Sequence, residues 1–409
     1  MSYDALGPAT QTVLCQISVF PASFDVEAAR EVVVANAEAV DLLELLRRRS
    51  LLEWEPDTRR YNLHDLVREF AAARLEDAEA VRLHYARHYT KVAAQAQFGL
   101  YLKGNTLSGL ALFDLERIHI DAGWTWSITY AGNPVVDALI LNYSDALNML
   151  AELRYDARRE RIPHLEAQRG AAQRLGRRAQ EGYALNHLGH VYNSLGETRQ
   201  AIAFSEQALV IHREIGDRRS EGLALMHLGN AYIILGETRQ VIAFYEPALV
   251  IQREIGDRGV EGLVLMNLGN AYNILGETLQ AIDFCEQALV IHRQDGDRRI
   301  EGLILNTLGN VYRSLGDAHQ AIAFYEQALV IHREIGNQRG EAVTRWNLGR
   351  ALERKGDLAR SAELMQVLVD YYREIGHPNA EKRAAYVDHL RQRLAASQNP
   401  LPADTPDEE

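Results

Sequence analysis

Residues 222–261 read GLALMHLGNAYIILGETRQVIAFYEPALVIQREIGDRGVE, and residues 262–301 read GLVLMNLGNAYNILGETLQAIDFCEQALVIHRQDGDRRIE. The 40-residue pattern repeats without an insertion, and a Leu-Gly pair marks it five times, at 188–189, 228–229, 268–269, 308–309 and 348–349. A constant period of this length is typical of a solenoid, in which similar units stack on their neighbours. Such an array presents a long surface that suits binding.

Glycines divide each unit into two apolar stretches. Gly236 follows the first stretch and Gly256 follows the second, and both recur in the neighbouring units. Glycine just past a helix adopts the left-handed cap without steric cost. Asp257 comes next, and its carboxylate can accept hydrogen bonds from the free amides that begin a helix. Each unit is therefore predicted to be a helical hairpin.

The repeated positions resemble the tetratricopeptide repeat (TPR). The resemblance rests on the Leu-Gly pair, on Tyr232 three residues later, and on small residues such as Ala248 in the second stretch. The usual TPR period is about 34 residues, so a period of 40 implies longer helices, as in kinesin-light-chain-like repeats. The resemblance implies a mainly α fold, an α-solenoid over residues 139–395 with one eroded unit, five clear units and a C-terminal capping helix.

Residues 1–90 follow a different plan and predict an N-terminal winged-helix domain. The expected order is three helices, two short strands and a further helix, at 12–19, 26–34, 37–49, 51–54, 60–63 and 65–75. Val19-Phe20-Pro21 and Leu63-His64-Asp65 resemble the winged-helix segment of STAND-type (NB-ARC) signalling ATPases. Residues 91–138 resemble the helical connector of bacterial members, and the acidic tail 396–409 is predicted to be disordered.

The STAND resemblance implies a nucleotide-sensing motif at His64 and Asp65. His64 would face the β-phosphate of a bound ADP, and Asp65 would hold the loop. The sequence contains no Gly-x-x-x-x-Gly-Lys-Ser/Thr loop to cradle phosphates, so the motif would act only beside an ATPase supplied in trans. The alternative is a histidine that fixes the start of a helix. The chain is interpreted as the regulatory part of a larger ATPase or as a stand-alone relative.

A candidate binding surface follows from the register of the first helices. With Leu188 and its counterparts facing the packed interior, positions three and four residues apart form a stripe on the opposite side. In TPR arrays that stripe lines the concave groove. The predicted peptide-binding groove consists of Asn186, His187, His190, Met226, His227, Asn230, Met266, Asn267, Asn270, Asn306, Thr307, Asn310, Trp346, Asn347 and Arg350.

The residue types in this groove predict a protein or peptide partner. Asn and His side chains can pair with both edges of an extended peptide backbone, while Met and Trp offer apolar pockets. The alternative is random drift on a solvated face. His187, His190 and His227 have no Cys or acidic neighbour at groove positions, which disfavours a metal site. No cofactor is predicted, and no nucleophile-base pattern indicates an enzyme.

The charge balance limits the alternatives. A net charge of −12 disfavours binding to a phosphate backbone. A DNA-binding regulator, gated by the TPR array, remains the alternative function because Arg47, Arg48 and Arg49 end the would-be recognition helix. The sequence shows no membrane-spanning run and no signal peptide, so a cytoplasmic protein is expected.

Taken as a whole, the residues predict a non-enzymatic scaffold or sensor arm that could also engage a separate STAND ATPase or effector. Two local features complete the prediction. Pro247 replaces the Gln found at 207, 287 and 327, in the middle of a predicted helix, and a kink is expected there. Cys15 and Cys285 are predicted to be small core residues.

Overall fold

The computed structural model describes residues 3–33 and 39–398. Contacts within the chain define two compact units, which meet in sequence between Gly216 and Asp217. The described residues are almost entirely helical, with one two-stranded sheet in the first unit. The mainly α fold built from helical hairpins is therefore confirmed.

Unit 1 begins with the elements expected of its N-terminal module. They are α1 (Pro8–Ile17), α2 (Val26–Val32), α3 (Ala39–Arg48), β1 (Glu53–Glu55), β2 (Arg60–Asn62) and α4 (Asp65–Ala72). The strands pair antiparallel, with Trp54 opposite Tyr61. The predicted end of α2 and the predicted start of α3 fall on 34–38, outside the described residues. β1 starts later than predicted, after Ser50 has taken a left-handed turn at φ 57°.

The rest of unit 1 contains six longer helices, with short helical segments at Gln95–Leu100, Tyr101–Lys103 and Ala157–Arg161. The longer helices are α5 (Ala78–Ala94), α6 (Thr106–Thr129), α7 (Pro134–Arg154), α8 (Ile162–Arg174), α9 (Arg178–Ser194) and α10 (Thr198–Ile215). A single apolar cluster extends from α1 to α8. Within it, Arg60 of β2 forms a buried ion pair with Glu116 of α6. His119 lies close by, with its Nε2 2.9 Å from the carbonyl oxygen of Ser23 and its Nδ1 2.9 Å from Tyr85 Oη. This polar cluster joins the strand region to the long helices.

The described part of unit 2, up to residue 398, consists of four helical hairpins and a final helix. Its helices are α11 (Arg218–Leu235), α12 (Thr238–Ile255), α13 (Arg258–Leu275), α14 (Thr278–Asp295), α15 (Arg298–Leu315), α16 (Ala318–Glu334), α17 (Gln338–Lys355), α18 (Leu358–Glu374) and α19 (Ala380–Gln398). The predicted caps are confirmed: Gly256 has φ 71°, and Asp257 Oδ1 accepts a hydrogen bond from Val260 N at 3.3 Å. Val387 and Leu390 of α19 are buried against the last hairpin.

Ion pairs between a buried glutamate and a partly exposed arginine join successive hairpins of unit 2. Glu301, in the first turn of α15, is 5% exposed. Its carboxylate accepts from Arg293 Nε of α14 at 2.8 Å and from Arg298 Nη1 at 2.6 Å. Glu261 makes the corresponding contacts with Arg253 and Arg258 one repeat earlier. The arginine side chains of these pairs are 44–54% exposed, so solvent screens the contacts that link one hairpin to the next.

Pro247 lies inside α12, which continues as one helix from Thr238 to Ile255. Proline has no N–H, so the carbonyl of Ala243 lacks its usual helical donor. The bend expected there stays a prediction. Both cysteines are buried and free, as predicted for core residues.

Histidines near the ends of second helices pack against glycines of the first helices. A Cβ added to Gly262 would lie 2.4 Å from His292 Nε2, and one added to Gly302 would lie 2.9 Å from His332 Cε1. In the repeat that contains α11 and α12, Gln252 occupies the same position against Gly222. Burial lowers the pKa of His292 below its ordinary value.

The stability of unit 2 is therefore expected to fall in mild acid. Below the ordinary histidine pKa of about 6.5, the unfolded chain binds a proton that folded His292 does not. Unfolding consequently becomes easier as pH falls from there toward the lowered folded pKa. His292→Gln, which copies Gln252, should reduce this loss. Urea unfolding at neutral and mildly acidic pH measures it, and equal losses in both proteins would contradict the prediction.

Candidate functional site

The first helices of unit 2 provide its candidate binding face. In addition to its hairpin partner, α15 contacts both α13 and α17. The Leu-Gly positions face the second helices, as predicted: a Cβ added to Gly309 would lie 2.5 Å from Tyr325 Cε1. Leu228, Leu268 and Leu308 are fully buried. The predicted stripe therefore lies on the other side of each first helix.

Most groove side chains predicted in unit 2 retain a surface that a ligand could contact. Asn270 is exposed, and the half-buried members are Met226, His227, Asn230, Met266, Asn267, Asn306, Thr307, Asn310, Asn347 and Arg350. Trp346 differs, since only 5% of it is exposed. Arg383 and Tyr386 of α19 cover its indole, with ring or guanidinium centres 4.4 and 5.7 Å from the indole centre. Trp346 is thus core rather than the open apolar pocket that the sequence predicted.

Several asparagine amides of the stripe are held by hydrogen bonds within the protein. Tyr245 Oη donates to Asn230 Oδ1 at 2.6 Å, and Tyr325 Oη donates to Asn310 Oδ1 at 2.8 Å. Asn267 Nδ2 donates in turn to Tyr245 Oη at 3.1 Å. These bonds orient the amides and use part of their capacity for a ligand.

Four other polar members of the stripe also have internal contacts. Asn347 Nδ2 donates to Asn306 Oδ1 at 3.1 Å, which links α17 to α15. Thr307 Oγ1 donates to the carbonyl of Leu303 at 3.0 Å. Arg350 lies 3.6 Å from Glu353 and over the ring of Tyr386. The groove is therefore a preorganised surface with a few unoccupied polar atoms.

A small pocket of about 50 Å³ opens between α11 and α13. Its walls include Ile233, Val241, Asn267, Asn270 and Ile274. The aliphatic walls and the two amides would suit an apolar group flanked by hydrogen-bonding atoms.

The groove residues predicted in unit 1 lie on α9. Asn186 is only 5% exposed, and its Nδ2 lies 3.2 Å from His212 Nε2. This contact uses Asn186 inside the hairpin rather than on an open face, contrary to its predicted place in the stripe. Burial lowers the pKa of His187 to about 4, and His190 is exposed.

His64 and Asp65 lie at the start of α4, where both are exposed. His64 Nδ1 accepts a hydrogen bond from Leu66 N at 3.3 Å and caps the helix. Asp65 forms an ion pair with Arg68. These contacts match the helix-start alternative, and the nucleotide-sensing role stays a prediction.

Two other kinds of site find no candidate in residues 3–33 and 39–398. No group of three or more His, Cys, Asp or Glu residues is placed there to hold a metal ion. Over the same ranges, no helix combines the length and apolar character needed to cross a membrane.

Family models of the tetratricopeptide repeat match residues 182–215, 260–333 and 301–374. These segments are tetratricopeptide repeats. The matches fall on hairpins of both units, and they agree with the Leu-Gly, Tyr and Ala positions that predicted the repeat. A search of curated proteins gave no match.

Solved structures of three proteins align with parts or most of this chain. A STAND protein with a tetratricopeptide repeat sensor from Pyrococcus horikoshii aligns with a TM-score of 0.52 and 19% identity, over 95% of this chain and 61% of that one. The chain thus spans less than two thirds of that protein's length. The putative kinesin light chain TPR-like repeats of Podosopora anserina align with a TM-score of 0.41 and 19% identity, over 47% of this chain and 95% of theirs. Aspartyl phosphate phosphatase F from Bacillus subtilis gives 0.47 and 12%, over 95% of each chain.

The similarity to the STAND protein supports the helical-repeat fold alone. The winged-helix assignment of residues 1–90 and the proposed domain boundaries at 90, 138 and 395 stay predictions. What the family models show is that the chain contains tetratricopeptide repeats, over residues 182–215 and 260–374.

Some site residues escaped the sequence prediction because it considered only first-helix positions. Tyr245 and Tyr325 belong to second helices, yet their hydroxyl groups reach the asparagines of the stripe. Ile233 and Ile274 also line the pocket; they are on first helices, but the predicted groove ended at Asn230 and Asn270 in these repeats. The sequence did carry one signal, since Cys285 occupies the repeat position of the two tyrosines.

Proposed function

We propose that the protein is a non-enzymatic regulatory protein of a STAND-type signalling system, and that unit 2 holds an extended peptide segment of a partner. The observation that carries this proposal is the composition of the stripe on α11, α13 and α15. From Met226 to Asn310 it offers amide, hydroxyl, imidazole, thioether and aliphatic groups, and no carboxylate. Such a surface can pair with a peptide backbone and accept apolar side chains.

The charge distribution of unit 2 favours an acidic partner. Its first helices, α11, α13, α15 and α17, carry eleven Arg or Lys against five Glu, a net charge of +6. Its second helices, α12, α14, α16 and α18, carry six Arg against ten Asp or Glu, a net charge of −4. A partner segment with acidic residues would therefore be attracted to the first helices although the whole chain is acidic.

DNA binding by the predicted winged helix receives less support. Arg47 Nε and Arg48 Nε lie 2.7 and 3.3 Å from Glu44, and Arg49 Nη1 donates to the carbonyl of Ala5 at 3.1 Å. All three contacts are exposed, and they use part of the charge and hydrogen-bonding capacity that these arginines would offer to a phosphate backbone. The proposed role of the N-terminal module is to relay or dock rather than to read DNA.

A charge placed in the stripe tests the proposed groove. Peptides are first selected from a random library on the full chain, and their affinity is measured by fluorescence anisotropy. Thr307→Glu is expected to weaken binding by about tenfold, because a carboxylate would face the peptide in a stripe that has none. Thr307 bonds only its own helix backbone, so the fold should survive.

The matched control is Val290→Glu, which places the same charge on α14, where the valine is 53% exposed. Its affinity should stay within about twofold, as for most surface changes. Far-UV circular dichroism checks that both variants fold. Failure to enrich any peptide over an unrelated protein, or equal effects of the two substitutions, would refute the groove.

A further inference from the structure

In the repeat of α13 and α14, no tyrosine hydroxyl donates to the groove asparagine, unlike in the repeats on either side. Cys285 stands where Tyr245 and Tyr325 stand. It is fully buried, and burial raises the pKa of its thiol to about 12, so it stays neutral. The thiol packs near Gly269, where an added Cβ would meet Sγ at 2.4 Å. Asn270, the counterpart of Asn230 and Asn310, therefore has no tyrosine hydroxyl to accept from.

The consequence is a free amide at the open end of the small pocket. In contrast to Asn230 and Asn310, the exposed Asn270 side chain has no hydrogen-bond partner among the described residues of unit 2. It lines the pocket together with Ile233 and Ile274, which are 41% and 64% exposed. On the same measure of volume a single water needs about 10–15 Å³, so a pocket of about 50 Å³ can take one small aliphatic group.

We infer that Asn270 holds the backbone of the bound peptide and that the pocket beside it selects one aliphatic side chain of that peptide. The inference rests on the proposed function and names the chemistry of the partner. A primary amide has two donors and an acceptor, and it can bond both the N–H and the C=O of one extended residue. A following or preceding side chain would then enter the pocket between Ile233 and Ile274.

The partner is therefore an extended segment with a Val- or Leu-like residue at its centre and acidic residues on its flanks. The net charge of +6 on the first helices favours acidic residues on the flanks of the peptide. The pocket walls carry no charged atoms, which favours an aliphatic residue at the centre of the peptide. Binding by the asparagine of this one repeat sets the register of the peptide along the solenoid.

Cys285→Tyr tests the inference by restoring the tyrosine of the neighbouring repeats. The restored hydroxyl should donate to Asn270 Oδ1, as Tyr245 does to Asn230, and occupy the amide. The ring should be accommodated, because Gly269 lacks a Cβ just as Gly229 and Gly309 do beside their tyrosines. Peptides selected on the wild-type full chain are expected to bind this variant about tenfold more weakly.

Asn270→Ala gives a second test that leaves the core untouched, because the residue is exposed. It should weaken peptide binding to a similar degree. The affinity of Asn310→Ala should stay within about twofold of wild type, because the Asn310 amide already accepts a hydrogen bond from Tyr325. Replacing the central aliphatic residue of the peptide by Asp should abolish the difference between wild type and Asn270→Ala.

The outcomes separate this inference from the proposed function. Unchanged affinity in both Cys285→Tyr and Asn270→Ala, with Thr307→Glu still weakened, would overturn the role of Asn270 and leave the groove standing. A set of selected peptides with no common aliphatic position would overturn the pocket. If no peptide is enriched at all, the proposed function itself fails.

Discussion

Arg60→Ala is expected to lower the free energy of unfolding of unit 1 by about 3–5 kcal/mol. The Arg60 and Glu116 side chains are 8% and 7% exposed, and Arg60 Nη2 lies 3.0 Å from Glu116 Oε2. Removing the guanidinium would leave the Glu116 carboxylate buried without a cation. It would also remove the bond from Arg60 Nε to the carbonyl of Ser23 at 3.2 Å. The lost stability therefore has two sources. One is an uncompensated buried charge, and the other is the loss of a contact that joins β2 to α6.

Denaturant unfolding followed by tryptophan fluorescence measures this loss. Trp54, Trp124 and Trp126 lie in unit 1, so a Trp346→Phe background makes the signal specific to that unit. The control is Arg154→Ala, which breaks a more exposed pair with Asp114 at 2.8 Å. Exposed pairs contribute about 0–1 kcal/mol. If Arg60→Ala costs no more than Arg154→Ala, the buried pair does not hold unit 1 together as described.

Gly309→Ala is expected to destabilise unit 2 by about 1–3 kcal/mol, the usual effect of overpacking a core. The new Cβ would lie 2.5 Å from Tyr325 Cε1 and 2.6 Å from its Cδ1. Tyr325 is fully buried, so its ring has little room to move. Ordinarily the same substitution inside a helix stabilises by up to about 1 kcal/mol. The sign of the effect therefore reports the close approach of α15 and α16.

Gly259→Ala is the matched control within the first turn of α13. An added Cβ there meets nothing within 4 Å, and the backbone has no positive φ. The change should stabilise the protein by about 0.4–1 kcal/mol through the unfolded chain. Chemical unfolding followed by far-UV circular dichroism compares the two variants. A stabilised Gly309→Ala would show that the helices can separate to admit a methyl group.

The candidate site divides into what the repeat pattern predicts and what packing adds. The pattern predicts which positions share a stripe, because side chains three and four residues apart align on any α-helix. It could not predict that the amides of Asn230 and Asn310 accept hydrogen bonds from tyrosines while the Asn270 amide accepts none. That difference depends on whether a tyrosine of the next helix reaches the amide, and Cys285 is too short to do so. Likewise, Trp346 is covered by α19, a helix that the pattern describes only as a cap.

The sequence by itself determined the helical hairpins, their 40-residue period, the glycine and aspartate caps and the inward Leu-Gly positions. These features depend on backbone preferences and on periodicity within one or two helices, so neighbouring residues suffice to predict them. Only the tertiary structure decided which groove amides are free and that Asn186 and Trp346 are buried. It also decided that Arg60 pairs with Glu116, 56 residues away. Such contacts depend on how whole helices and strands pack, and no local pattern records that.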